Sequence, residues 1–415
     1  MTREDEYRQR VVREWTRARQ RLAPDDLRTI LALLQRAHDE ATAGAQGAPV
    51  QRTAPSETAL VLSAINQELT APELADGIVR VLPDGTIMGA EKYEQLDPGW
   101  LNTFVEWLHH PPATYVPFRT GAVPQSIPNE LVVGLLGDWG TGAFHHGQAE
   151  AVGHALRNQR PDVSIHLGDV YHCGTPELEH AHLIKHFPYG RLASFALNSN
   201  HEMFAGGTGY FETLLDRAPG FATQGGRSFF ALENDHWVIV GLDTAYHASW
   251  REMGMTGVLC DEQVAFLRAR VAANKNLVVL THHLGLASSD GAPVEPLWSQ
   301  VTASLDPERV NLWYWGHNHA GYVHRRVGPV EARCIGHGAL PWGRATELAS
   351  NPTVVWSEQG EATPWPRMRN GFAVLRFSGA GVTEEIRDST GHCGWSRTIA
   401  DAGALQAILI PVTRL

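Results

Sequence analysis

The sequence contains no Cys-x-x-Cys pair, no block of lysines and arginines, and no apolar run long enough to span a bilayer. Its four cysteines (Cys173, Cys260, Cys334, Cys393) are scattered, which gives no disulfide framework and suits free thiols in a reducing compartment. Basic residues number 34 against 45 acidic ones, a net charge of −11. That balance argues against a broad grip on a nucleic-acid backbone. A small phosphorylated substrate stays open, because bound cations reverse the sign of charge locally. The opening residues, Met1-Thr2-Arg3-Glu4-Asp5, lead into a charged helix and not an apolar signal core. These absences make a cytoplasmic protein the expectation, away from membranes and nucleic acid. Hydrophobic content of 43% with 19% charge is that of a folded globular chain, and the unusual number is 21 histidines.

At 415 residues the chain has room for one large domain with an extension. We divide it at residue 128. In 1–128, Val11, Trp15, Ala18 and Leu22 recur at helical spacing, as do Leu27, Ile30, Leu31 and Leu34 after Pro24-Asp25-Asp26. This predicts a helical hairpin, followed by an Ala/Gly/Pro/Gln-rich linker from Gly44 to Pro55 and further helices begun by Ser56 and Thr70. Five prolines between Pro111 and Pro128 mark an extended crossing into the next domain. The region bears no chemical motif. It reads as a packing cap or as helices through which copies of the chain could associate.

From 129 to 415, strands alternate with helices. Strands are expected at Leu131–Leu136, Val163–Leu167, Ser194–Leu197 and Leu277–Leu280, and in the apolar run Val310–Trp315. Helices are expected at His145–Asn158 and Pro176–Phe187, with another capped by Asp261 and bearing Val264, Leu267 and Val271. Arg227–Leu232 and His236–Leu242 read as a hairpin. Such alternation predicts a largely parallel sheet with helices outside. Later strands within 321–390 (Tyr322–Arg326, Val330–Ile335, Phe372–Phe377, Val382–Ile386) read as a second sheet, with a long loop from Leu340 to Met368.

Five strands end in metal-ligand residue types: Asp138, Asp169, Asn200, the pair His282-His283, and His317 with His319. Singly each is weak, since Gly-Asp after a strand is an ordinary turn and a lone histidine is usually satisfied by hydrogen bonds. Together, at one edge where strand carboxyl ends meet, they form a plausible metal centre. Asp138, Asp169 and Asn200 are 31 residues apart each time, one strand–helix repeat.

The order Gly-Asp, Gly-Asp, Asn-His-Glu, His, Gly-His-x-His resembles the calcineurin-like metallophosphoesterases over about Leu131 to Gly321. The resemblance implies an αββα two-sheet sandwich, here with an N-terminal helical extension, and a dinuclear metal site. It implies that Asp169 bridges both ions. Asn200, His282 and His317 would complete one ion's shell, with His282 preferred to His283 because it follows the strand directly. Asp138 and His319 would serve the other ion. The first motif lacks the common Asp-x-His, having Asp138-Trp139-Gly140, and so is closest to the purple acid phosphatase pattern. That branch supplies a metal-ligating tyrosine three residues after the second aspartate, where this chain has His172. We therefore expect His172 as a ligand, and no tyrosinate–iron colour. Ser199 replaces a usual glycine before Asn200.

The implied activity is hydrolysis of a phosphate monoester or diester by a metal-bridging hydroxide, with His201 and Asp169 as the catalytic pair. His201 would stabilise the phosphoryl charge or protonate the leaving group, and Glu202 would orient His201 or a backbone turn. The donor set suits two ions of iron, manganese or zinc. Softer candidates are backbone N–H groups of Gly140-Thr141-Gly142 as an oxyanion cradle, and His247 and His337 as substrate contacts. His166, inside a strand, reads as structural. The competing reading is a degenerate fold of this family that binds as a scaffold without turnover.

Overall fold

The computed structural model describes residues 100–141, 144–340, 348, 350–360 and 368–399, with short pieces at 20–21, 23–24, 80–81, 87–88 and 408–409. The expected hairpin, linker and capped helices before residue 80 lie outside these residues, apart from the first two short pieces. The described part of the extension is helix α1, Trp100–His109, which ends before Pro111-Pro112 and buries Thr103, Phe104, Val105 and Trp107. Trp107 and Trp250 stack at 4.6 Å, and each indole N–H donates to the other residue's carbonyl, docking α1 on the domain.

In chain order follow β1 (Glu130–Leu136), α2 (Phe144–Asn158), β2 (Val163–His166), β3 (Ala193–Ala196), α3 (Asn200–Phe204), β4 (Phe230–Glu233), β5 (Trp237–Gly241), α4 (Asp261–Val271), β6 (Asn276–Thr281), β7 (Asn311–Trp315), β8 (Gly321–His324), β9 (Glu331–Ile335), β10 (Val354–Ser357), β11 (Gly371–Ser378), β12 (Gly381–Asp388) and β13 (Cys393–Ile399). The expected second helix is α-helical only at Pro176–Leu178 and continues as a π-helix over Glu179–Ile184. Cys260, not Asp261, is the N-cap of α4.

Two mixed sheets pack face to face. One has the order Ile408–Leu409, β13, β12, β11, β1, β2, β3; the other runs β10, β8, β9, β7, β6, β5, β4 and Gln125–Ser126. This corrects the single motif-bearing sheet expected from sequence. β1, β2 and β3 are mutually parallel in the first sheet, whereas β5, β6, β7 and β9 are parallel in the second. The later strands divide between them: β8–β10 complete the sheet of β6 and β7, and β11 pairs antiparallel with β1. The Leu340–Met368 stretch contributes edge strand β10.

Alternation along β7 shows why the layers hold. Leu312 and Tyr314 enter the inter-sheet core with Val133, Ile165 and Leu280; Trp313 and Trp315 face the outer layer with Leu267 of α4. Leu136, Val152 and Leu156 close the opposite outer layer under α2. Each large side chain buried this way contributes roughly 1.5–3 kcal/mol. The result is an αββα sandwich, with the carboxyl ends of β1–β3, β6 and β7 converging where the two sheets meet.

Candidate metal centre

The residues just past those strand ends sit in tight, strained turns. Asp138, Asp169 and His317 hold φ of 54°, 76° and 63°, left-handed values that cost a non-glycine residue of order 1–3 kcal/mol. Glycines make room for them. A Cβ on Gly316 or on Gly336 would lie 2.7 Å from Asp138 Oδ2, so only bare backbone can cradle that carboxylate.

One group of donors converges on His282 Nε2, which lies 3.0 Å from Asn200 Oδ1, 3.1 Å from His317 Nδ1 and 3.2 Å from Asp169 Oδ1. The other ring nitrogen, Nδ1, donates to the Leu167 carbonyl at 2.8 Å, tying β6 to the end of β2 across the sheets. That bond aims Nε2 inward. His283 differs. Its Nε2 donates to Gly254 O at 2.6 Å and its Nδ1 accepts from Thr244 Oγ1 at 2.7 Å, so both nitrogens are engaged. Although His282, His283 and His317 could group around an ion by distance alone, these bonds favour His282 as the donor.

The second group lies across Asp169. His319 Nε2 is 3.4 Å from Asp138 Oδ1 and 3.7 Å from Asp169 Oδ2, and His201 Nε2 is also 3.7 Å from Asp169 Oδ2. Asp169 thus turns one oxygen to each group. Asp138, Asp169 and His282 bring a ligand atom apiece within 4.8 Å of one another. The Asp138 carboxylate is buried, and neither oxygen makes a hydrogen bond that meets ordinary geometry. The oxygen and imidazole set fits divalent or trivalent cations.

Burial, then the Asp169 charge, pushes Asp138 well above the usual carboxylate range. Burial opposes ionisation of Asp169 too, but His201 and His282 overcome it and hold its pKa well below normal. Burial also opposes charge on His282, yet Asp169 raises it to about 9. Burial lowers His201 to about 4 and His317 well below its ordinary value.

Other candidates are placed as follows. His172 is buried beside Tyr171, with ring centroids 4.1 Å apart. His247 is exposed and packs on Phe118 and Tyr246, and no described contact joins it to the cluster. His337 is fully buried between β8 and β11, its ring against Gly321 and Gly371. The oxyanion cradle is not formed at Gly140 and Thr141, whose N–H groups donate to Asp169 O and Trp139 O; Gly142 lies outside the described residues. His166 is buried, near Trp139 and Phe187.

Sequence reasoning underrated Ser199. It is the N-cap of α3, its Oγ accepting from His201 N at 3.0 Å, and the same oxygen lies 2.5 Å from Asp169 Oδ1 and touches Glu202 Oε2. Glu202 Oε1 accepts from Val170 N at 3.1 Å, and burial followed by the Asp169 charge raises Glu202 to about 7. The available signal was the Ser-x-x-Glu spacing of a capping box.

Residues 131–321 match the family model for calcineurin-like phosphoesterases. No curated protein matches the sequence. Among solved structures, the chain is similar at 13% identity to GAP50, the anchor in the inner membrane complex of Plasmodium, over 69% of this chain and 90% of that one, with a TM-score of 0.44. At 14% identity it is similar to a dimetal phosphatase from Danio rerio, over 65% of this chain and 98% of that one, with a TM-score of 0.42. No helix among the described residues is long and apolar enough to cross a membrane.

Proposed function

We propose that the calcineurin-like phosphoesterase domain at residues 131–321 hydrolyses phosphate esters with two metal ions held about Asp169. The observation that carries this reading is the division of the Asp169 carboxylate, Oδ1 toward His282 and Oδ2 toward His319 and His201. Asn200, His282 and His317 would hold one ion with Asp169, and Asp138 and His319 the other, His172 being the further donor proposed for it. When bound, such a pair of ions lowers the pKa of a shared water, holds a phosphoryl oxygen and stabilises the leaving oxygen.

The protein's own groups supply orientation and hydrogen bonding. Leu167 O fixes the His282 tautomer, and Gly316 and Gly336 leave room for Asp138. His201, kept neutral at pH 7, offers an N–H to a phosphoryl or leaving oxygen beside Asp169 in place of a stored proton. The phosphorylated substrate is small. Four free cysteines suit a reducing compartment such as the cytoplasm.

The test is a metal-reconstituted screen of aryl phosphate monoesters and diesters, with bound metal counted and Asn200→Ala as the inactive control. Two equivalents with turnover support the enzyme; its preferred ester and most active ion (iron, manganese or zinc) come from the same screen. A protein that takes up no metal and stays inert after reconstitution supports the scaffold reading, which the Gly140 position favours. A tyrosinate band in iron-loaded protein, lost in Tyr171→Phe, would overturn the role given to His172.

A further inference from the structure

We infer that Ser199 is a positioning residue for the bridging carboxylate, its hydroxyl donating to Asp169 Oδ1 and setting how Asp169 faces the two donor groups. The inference rests on the metal-centre reading above.

Ser199 is fully buried, and its Oγ lies 2.5 Å from Asp169 Oδ1. A serine hydroxyl has one proton to give and two lone pairs to offer. The His201 N–H takes one lone pair. Its one proton faces two buried carboxyl oxygens, Asp169 Oδ1 at 2.5 Å and Glu202 Oε2. Glu202 is already committed on its far side, where Oε1 accepts from Val170 N, the residue after Asp169. Glu202 therefore holds the Asp169-Val170 backbone, and Ser199 holds the Asp169 side chain. Both depend on α3, whose first turn also carries Asn200 and His201.

Among the described residues around this carboxylate, His282 and His319 are candidate ligands and His201 faces the reacting side. Ser199 has no such duty. A left-handed backbone at Asp169 gives that side chain an uncommon direction, and a fixed hydroxyl 2.5 Å away restrains it. A glycine at position 199 could cap the helix but could not supply this bond.

The experiment is calorimetric titration of Mn2+ into the full-length, chelator-stripped chain as wild type, Ser199→Gly and Ser199→Ala, each checked for folding by circular dichroism. Ser199→Gly separates the hydroxyl from the cap, because glycine is tolerated there. Ser199→Cys keeps the volume with only a weak S–H donor, and provides the same reading if the smaller variants do not fold. The wild type should bind two equivalents, and the variants should hold at least one of them about tenfold more weakly. Folded variants with wild-type affinity at both sites would overturn the role of Ser199 and leave the metal centre standing. A wild type that binds no Mn2+ would overturn the metal centre itself, and Ser199 with it.

Discussion

Strand β7 connects two buried charged regions that solve the same problem in opposite ways. Midway along it, Tyr314 enters the inter-sheet core and donates to Glu384 Oε1. Arg333 donates to Oε1 and Oε2 of Glu384 at 3.1 Å each and lies 5.2 Å above the Trp395 ring, while Arg397 pairs with Glu331. Two guanidinium groups answer two carboxylates, and both Glu384 oxygens have donors. Just past the end of the same strand, His317 and His319 face Asp138 and Asp169. No lysine or arginine among the described ion pairs reaches these two carboxylates, and Asp138 lacks hydrogen bonds of ordinary geometry. In the first region each buried carboxylate has a guanidinium partner. In the second, the described ion pairs of the two carboxylates are with imidazoles, a donor set that could hold metal ions.

The largest expected effect on activity breaks the open region. Asn200→Ala should lower kcat/KM for the best ester by at least about 100-fold, on the order of 3 kcal/mol of transition-state stabilisation, while a urea titration shows the fold retained. Next comes the closed region. Arg333→Met leaves Glu384 buried without its guanidinium and should cost about 3–5 kcal/mol in the same titration. Metal removal comes third. Chelation should lower wild-type stability by about 2.7 kcal/mol for each ion lost, measured against protein with ion at a hundred times its dissociation constant, and should not affect an Asp138→Asn/Asp169→Asn double variant.

Neutralising one charge sharpens the contrast. In chelated protein, Asp138→Asn should raise stability, because burial and Asp169 both disfavour a carboxylate there. An Asp138→Asn protein that melts earlier than chelated wild type would count against the open-site reading.

A further effect concerns pH. Burial holds His337 at about 3, against 6.5 for a free histidine. Between those values the unfolded chain binds a proton that the folded chain does not. Its contribution to stability is therefore lost as pH falls below 6.5, with a slope of up to about 1.4 kcal/mol per pH unit. Melting temperatures from pH 7 to pH 5 should fall less steeply for His337→Leu than for wild type.

Much of this site was legible because its chemistry lies at element ends. Apolar runs such as Val310–Trp315 announce a strand, and the polar residues after it announce what the strand delivers. The strands of Asp138, Asp169, His282 and His317 were found within one or two residues of their bounds. Sheet membership was not legible, because parallel pairing of β6 with β7 rather than with β2 depends on hydrogen bonds between residues far apart in the chain. The same limit applies to His282 and His283. Adjacent in sequence, they are separated in role by Leu167 O, Thr244 and Gly254, three partners that only the folded chain brings near.

The sequence by itself determined the order of motifs, the residue types that could hold cations, and the acidic, lysine- and arginine-poor character of the region, all of which are local or compositional. Tertiary structure alone decided that two sheets and not one edge form the centre, that Asp169 divides its oxygens between two donor groups, and that the Ser199 hydroxyl reaches Asp169. Those features depend on distances of about 3 Å between residues tens of positions apart, and only packing of the two apolar sheet faces sets such distances.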